Sequence, residues 1–238
     1  MSYIKVDDMN FIERIFETVR NAFSDLAEVI SCKIREWQAR CEIAKGKKRY
    51  IGHLTGSEIQ YEPEEPDKEL ALRVVSYLQK RFPNGIESKI QEISIDERKD
   101  LICQIVEEVE QIFEVEPVNF EILYPTTAEE FYAYGCGFYN RSENLLCLNG
   151  AYLMDEHIEL VEEQIYTIFH ELKHARQYAA IAHERDYGYS EDILEAWKYN
   201  VVVYIRPNEN DEAYRKQALE RDAFGFENYV REIFETNH

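Results

Sequence analysis

The chain has 238 residues, 45% of them hydrophobic, and a formal net charge of −20 at pH 7. That apolar fraction suffices for a globular core, and the charge disfavours a nucleic-acid partner. No segment is long and apolar enough to cross a membrane, and the first eight residues lack the apolar core of a signal peptide.

The length fits one large domain or a catalytic domain with a helical appendage. Cys32, Cys41, Cys103, Cys136 and Cys147 are scattered, odd in number and outside any CxxC pair, so they read as reduced thiols of a cytoplasmic protein. Ile12, Phe16, Val19, Phe23, Leu26 and Ile30 are spaced 4-3-4-3-4. They predict a helix from about Asp8 to about Ala44, with a narrow apolar seam that packs on the rest of the chain or forms a dimer. Gly46 would stop this helix, and the run Lys45-Gly46-Lys47-Lys48-Arg49 suits its negative dipole end. Residues 52–66 are loop-like. A second helix opens at Asp67 and runs to about Phe82, before a turn at Pro83-Asn84-Gly85. Ser94-Ile95-Asp96-Glu97 is a capping box, followed by Leu101, Ile102, Ile105, Val106, Val109, Ile112 and Phe113 at helical spacing. After Pro117 the pattern alternates, predicting a strand over 118–123 and two more over 131–139 and 144–148, joined by a hairpin turn at Asn140-Arg141-Ser142-Glu143.

A stretch free of Gly and Pro then runs from about Glu156 to about His183, with Asp155 as its expected N-cap. It contains His170-Glu171-Leu172-Lys173-His174, an HExxH pattern. On a wheel of roughly 100° per residue with His170 at zero, Val161, Ile165, Ile168, Leu172, Ala175 and Ala179 fall roughly between 140° and 220°. On the same wheel His174 falls at roughly 40°, Glu163 at roughly 20° and Gln177 at roughly −20°. The two histidines therefore leave the core stripe and face a cleft where one metal ion could be shared and reached from solvent. Glu171 can take a proton from metal-bound water. Lys173, at roughly −60°, is expected to send its stem toward solvent. A third ligand is needed. His183 falls on the core side, at roughly 220°. A carboxylate is therefore expected, giving a His2Glu set with an open position.

The order helix, strand, hairpin, HExxH helix resembles the zincin metallopeptidases. The residues Gly137-Phe138-Tyr139, Asn144-Leu145-Leu146-Cys147-Leu148-Asn149 and the run from Thr167 to Gln177 look most like the intracellular ImmA/IrrE-type enzymes, of gluzincin type. The similarity covers roughly residues 95–235. It implies an α+β fold, mostly helical: a zincin-like catalytic domain at 63–238 with a small mixed sheet, preceded by an N-terminal helix and loop at 1–62. The strand ending in Leu148-Asn149 would form the cleft rim and pair with an extended substrate. Ala180 stands where a metzincin would carry its third histidine. Glu220, in Glu-x-x-Ala, resembles the group's third-ligand motif, while Glu195 has near-thermolysin spacing without the Asn-Glu signature. Asp222, two residues from Glu220, is a candidate hydrogen-bond partner for another element or for a ligand histidine. The expected function is zinc-dependent hydrolysis of peptide bonds in an intracellular protein or peptide substrate, with Zn2+ on His170, His174 and Glu220 and Glu171 as general base. Tyr178, His183, Tyr199 and Tyr214 are candidate oxyanion donors. The alternative is a non-catalytic regulatory or binding protein that keeps the zincin fold.

Overall fold

A computed structural model describes residues 30, 33–35, 37–45, 61–154 and 157–236. Most of the seam helix, Gly46 with the basic residues after it, and Asp155 lie outside the described residues. Residues 37–45 are helical, and Ile43 packs beside Phe131, Tyr152 and Leu160.

Helix α1 (Glu65–Arg81) starts with Pro66 in its first turn, where a missing N–H costs nothing. Leu70, Ala71, Val74, Val75 and Leu78 recur at helical spacing and are buried. Gly85, at φ +86°, makes the turn into α2 (Ile86–Glu92). Helix α3 (Ile95–Phe113) has the expected capping box between Ser94 and Glu97. Strand β1 (Asn119–Leu123) follows.

The next segment corrects the reading of 131–139 as a strand. Ala128–Tyr134 is a helix, α4, and only Gly137–Asn140 is extended, as β2. Thr127 explains this. Its hydroxyl accepts from the Glu130 backbone N–H, and Glu129 and Glu130 stand in the positive first turn. The aromatic run masked this start signal. Phe131 turns inward while Tyr132 is exposed.

Strand β3 (Leu145–Asn149) pairs in parallel with β1 and antiparallel with β2, so the small sheet is mixed and ordered β1-β3-β2. β3 is thus central and has both edges occupied. The Leu148-Asn149 strand therefore has no free edge of the kind expected for it, and β2 is an edge strand that packs on the HExxH-bearing helix.

After the short α5 (Gly150–Leu153), helix α6 (Ile158–Ile181) carries the HExxH pattern. Its N-cap is His157, and His183 at φ +56° turns the chain away just past its end. Then come α7 (Glu191–Val202), α8 (Asp211–Lys216) and α9 (Ala218–Thr236). The apolar stripe predicted for α6 is real: Val161, Ile165, Ile168 and Leu172 lie in one core with α1, α3 and β3. Burying each such side chain contributes about 1.5–3 kcal/mol. The opposite face is covered too, by α9 and α7. α6 is a central helix, and nearly every residue from Leu160 to Gln177 is buried. Cys41, Cys103 and Cys147 are free thiols. Among the described residues no helix is long and apolar enough to span a membrane.

Candidate metal site

His170 and His174 leave α6 on the side covered by α9 because they stand four residues apart, about 40° from each other around the axis. Glu220 meets them from the first turn of α9, where the positive helix end favours a carboxylate. The three side chains converge: the histidine Nε2 atoms are 3.2 Å apart, and Glu220 reaches His170 Nε2 with Oε2 and His174 Nε2 with Oε1, each at 3.4 Å. Donors held at about 2.0–2.1 Å from one tetrahedral ion would stand roughly 3.3 Å from each other. Glu220 Oε2 is buried without a hydrogen bond, an orphan carboxylate oxygen that a cation would satisfy. The donor set therefore fits a divalent metal.

The outer ring nitrogens are also held. Gln177 donates from Nε2 to the Leu219 carbonyl, so its Oε1 faces His174 Nδ1 at 2.8 Å. This assigns the proton to Nδ1 and leaves the Nε2 lone pair toward the cluster. His170 Nδ1 lies 3.2 Å from Glu227 Oε2, close enough to pair electrostatically although the alignment falls short of a hydrogen bond. Asn200 accepts from the Leu219 N–H, pinning the start of α9 beside Glu220.

Electrostatics match this arrangement. Among these side chains alone, burial opposes a charged His170, but the carboxylates of Glu220 and Glu227 outweigh it and push the imidazole up to about 10. Burial would raise the Glu220 carboxyl, yet the two imidazoles hold it well below the usual range. Glu171, 7% exposed, has its carboxyl pushed up by burial, against the pull of both histidines and a backbone hydrogen bond from Tyr139 on β2. The edge strand and Glu171 are thus in direct contact.

Several expectations are corrected. The histidines are nearly enclosed, at 4% and 8% exposure, with the Phe224 ring 4.3 Å from that of His170. Lys173 does not reach solvent. The side of α6 it occupies is roofed by α1 and α7, and its ammonium pairs with Asp67. Of the two partners expected for Asp222, the structure gives the other element and not a histidine: it accepts from Trp197 Nε1 on α7 at 2.8 Å, and from Arg221. Glu195 is exposed on α7 and pairs with Lys198 at 3.0 Å. His183 and Tyr199 face solvent. Tyr214 does reach Glu220, and so does Tyr204, whose hydroxyl donates to Oε1 at 2.6 Å. Tyr178 is half-buried farther along α6, its ring 5.0 Å from the Arg141 guanidinium. Sequence reasoning missed Tyr204, Gln177 and Glu227. Gln177 lay on the histidine side of the wheel, and Glu227 follows Glu220 by seven residues, two helical turns on one face.

Tyr139 and Tyr178 also line a cleft of about 410 Å³ along the C-terminal half of α6, with Arg141, Ala175, Glu184 and Tyr187. None of the three metal-capable residues lines it. It adjoins the cluster through Tyr139, which bonds Glu171. No protein-family model, curated protein or solved structure matches the chain.

Proposed function

We propose that the protein is a zinc-dependent metallopeptidase that hydrolyses peptide bonds of an intracellular protein substrate. The observation that carries this reading is the convergence of His170, His174 and Glu220 at 3.2–3.4 Å, with Glu171 on the same helix and in contact with an edge strand. Two imidazoles and one carboxylate are the ligand types of catalytic zinc sites that keep an open position. Zinc bound there would supply a Lewis acid that activates water and polarises a substrate carbonyl.

The chain's own groups divide the remaining work. Glu171 takes the proton from the attacking water and delivers it to the leaving amine. The outer edge of β2 receives an extended substrate beside Glu171 by strand addition. Tyr204, whose hydroxyl donates to Glu220, and Tyr214, packed against Tyr204, are the candidate donors to a developing oxyanion. Gln177 and Glu227 hold the imidazoles so that both Nε2 lone pairs converge.

Elemental analysis with a protein-cleavage assay tests the reading. We expect about one zinc per wild-type chain, lost in His170→Ala, and zinc retained in Glu171→Gln with hydrolysis reduced by about 10²–10⁴-fold. Metal kept by the His170→Ala, His174→Ala double variant would overturn the metal assignment. Undiminished cleavage by Glu171→Gln would overturn the general-base assignment.

A further inference from the structure

Lys173 occupies a variable position of the HExxH pattern, yet it is 0% exposed. Its ammonium hydrogen-bonds Asp67 and the Tyr189 hydroxyl, the latter at 2.8 Å. Aromatic faces enclose it: the Tyr189, Trp197 and Phe226 centroids lie 4.6, 5.1 and 5.6 Å away. Asp67 is fully engaged as well. Tyr189 donates to its Oδ1 at 2.6 Å, and Tyr61 donates to its Oδ2 at 2.7 Å. Arg176 in turn donates to the Tyr189 hydroxyl at 3.1 Å, fixing its direction.

The location of this box matters. Lys173 precedes His174 on α6, and Phe226 lies on α9, the helix that presents Glu220. Trp197 ties to the same helix through Asp222, two residues from Glu220. Tyr61 packs so tightly on α9 that a Cβ at Gly225 would lie 2.1 Å from its ring. The charge pair therefore sits in the joint between the two ligand-bearing helices, and its acidic half comes from α1, 106 residues earlier.

A buried ion pair is a poor way to gain stability. Packed apolar residues of similar volume commonly do as well or better. What the pair adds is direction, since an ammonium with two fixed acceptors tolerates little rotation or sliding of α6. We infer that Asp67 is a positioning residue of the metal centre, clamping Lys173 so that the histidine-bearing helix stands in the register that Glu220 requires. The segment from Tyr61 to Asp67 is then part of the functional unit, although it lies far from the HExxH pattern in sequence. The inference rests on the metal reading of the cluster.

The test compares the full-length wild type with Tyr189→Phe and with the double variant Asp67→Leu, Lys173→Met. Zinc and cobalt(II) affinities, the cobalt(II) ligand-field spectrum and the thermal midpoint are measured on each. In the double variant no unpaired charge is left buried, although the Tyr61 and Tyr189 hydroxyls lose their acceptor, so the midpoint should fall modestly while the chain still folds. Its zinc affinity should fall roughly 10–100-fold and its cobalt spectrum should change. Tyr189→Phe, which keeps the pair but removes one tether, should show the same changes to a smaller degree. Wild-type affinity and spectrum in the double variant would overturn the clamp. If that variant does not fold, an unchanged affinity and spectrum in Tyr189→Phe would overturn it. A wild-type chain that binds neither metal would refute the metal reading itself, a separate outcome.

Discussion

Glu220 and Glu227 stand two turns apart on α9 and flank the same imidazole, Glu220 Oε2 lying 3.4 Å from His170 Nε2 and Glu227 Oε2 lying 3.2 Å from Nδ1. One carboxylate is placed to share a metal with the histidine. The other is placed to orient the ring, and it is itself steadied by Arg231, which forms a two-pronged pair with Glu163. Glu227→Ala should weaken zinc binding roughly 10–100-fold, with Glu227→Gln intermediate because the amide oxygen can still accept. Chelator competition measures this, and an unchanged affinity in Glu227→Ala would remove the residue from the site.

Glu220 and Glu195 separate cleanly in space. Glu220 is 2% exposed between the histidines, whereas the Glu195 side chain is 65% exposed beside Lys198. Glu220→Ala should abolish stoichiometric zinc, while Glu195→Ala should bind as wild type and change stability by no more than about 0.5 kcal/mol. Loss of metal in Glu195→Ala alone would contradict the geometry.

Glu162 offers a pH test away from the metal cluster. Burial pushes its carboxyl up to about 7, Arg231 pulls it down, and Glu87, Glu163 and Glu235 push it further up. A folded-state value above the unfolded one favours the folded chain at low pH, and that contribution disappears as pH rises through about 7. Glu162→Gln, which cannot ionise, should raise the thermal midpoint at pH 8 more than at pH 5. Equal shifts at both pH values would show that the carboxylate is not destabilised by folding.

Gly225 leaves room for the Tyr61 ring on α9. An added Cβ would meet the ring Cγ at 2.1 Å, so Gly225→Ala must displace Tyr61 and with it the hydrogen bond to Asp67. Overpacking of this kind costs about 1–3 kcal/mol, against the gain that alanine would bring at an open helical position. Denaturant unfolding measures it, and a stabilised variant would mean that residue 61 does not pack there.

Much of the frame was legible from local signals. The capping box at Ser94 and Glu97, the turn at Gly85 and the period of α6 are each set by residues within a few positions of one another, and all are found as expected. The wheel also put His170 and His174 away from the stripe formed by Val161, Ile165, Ile168 and Leu172. The meeting of Glu220 with the histidines was anticipated by resemblance, since no local pattern links residues on separate helices. Tertiary structure alone decided what covers each face. Periodicity states which way Lys173 points but not that α1 and α7 lie there, so an expected solvent-facing stem became a buried partner of Asp67. The same holds for Glu227, Gln177 and Tyr204, whose roles depend on how α6, α9 and the loop after α7 are docked. At residues 128–134 a local cap, Thr127 with its two following acids, outweighed an aromatic pattern that suited a strand. A helix face is written in the spacing of its own residues, but its neighbours are chosen by long-range burial, and the chemistry of this cluster lies at those contacts.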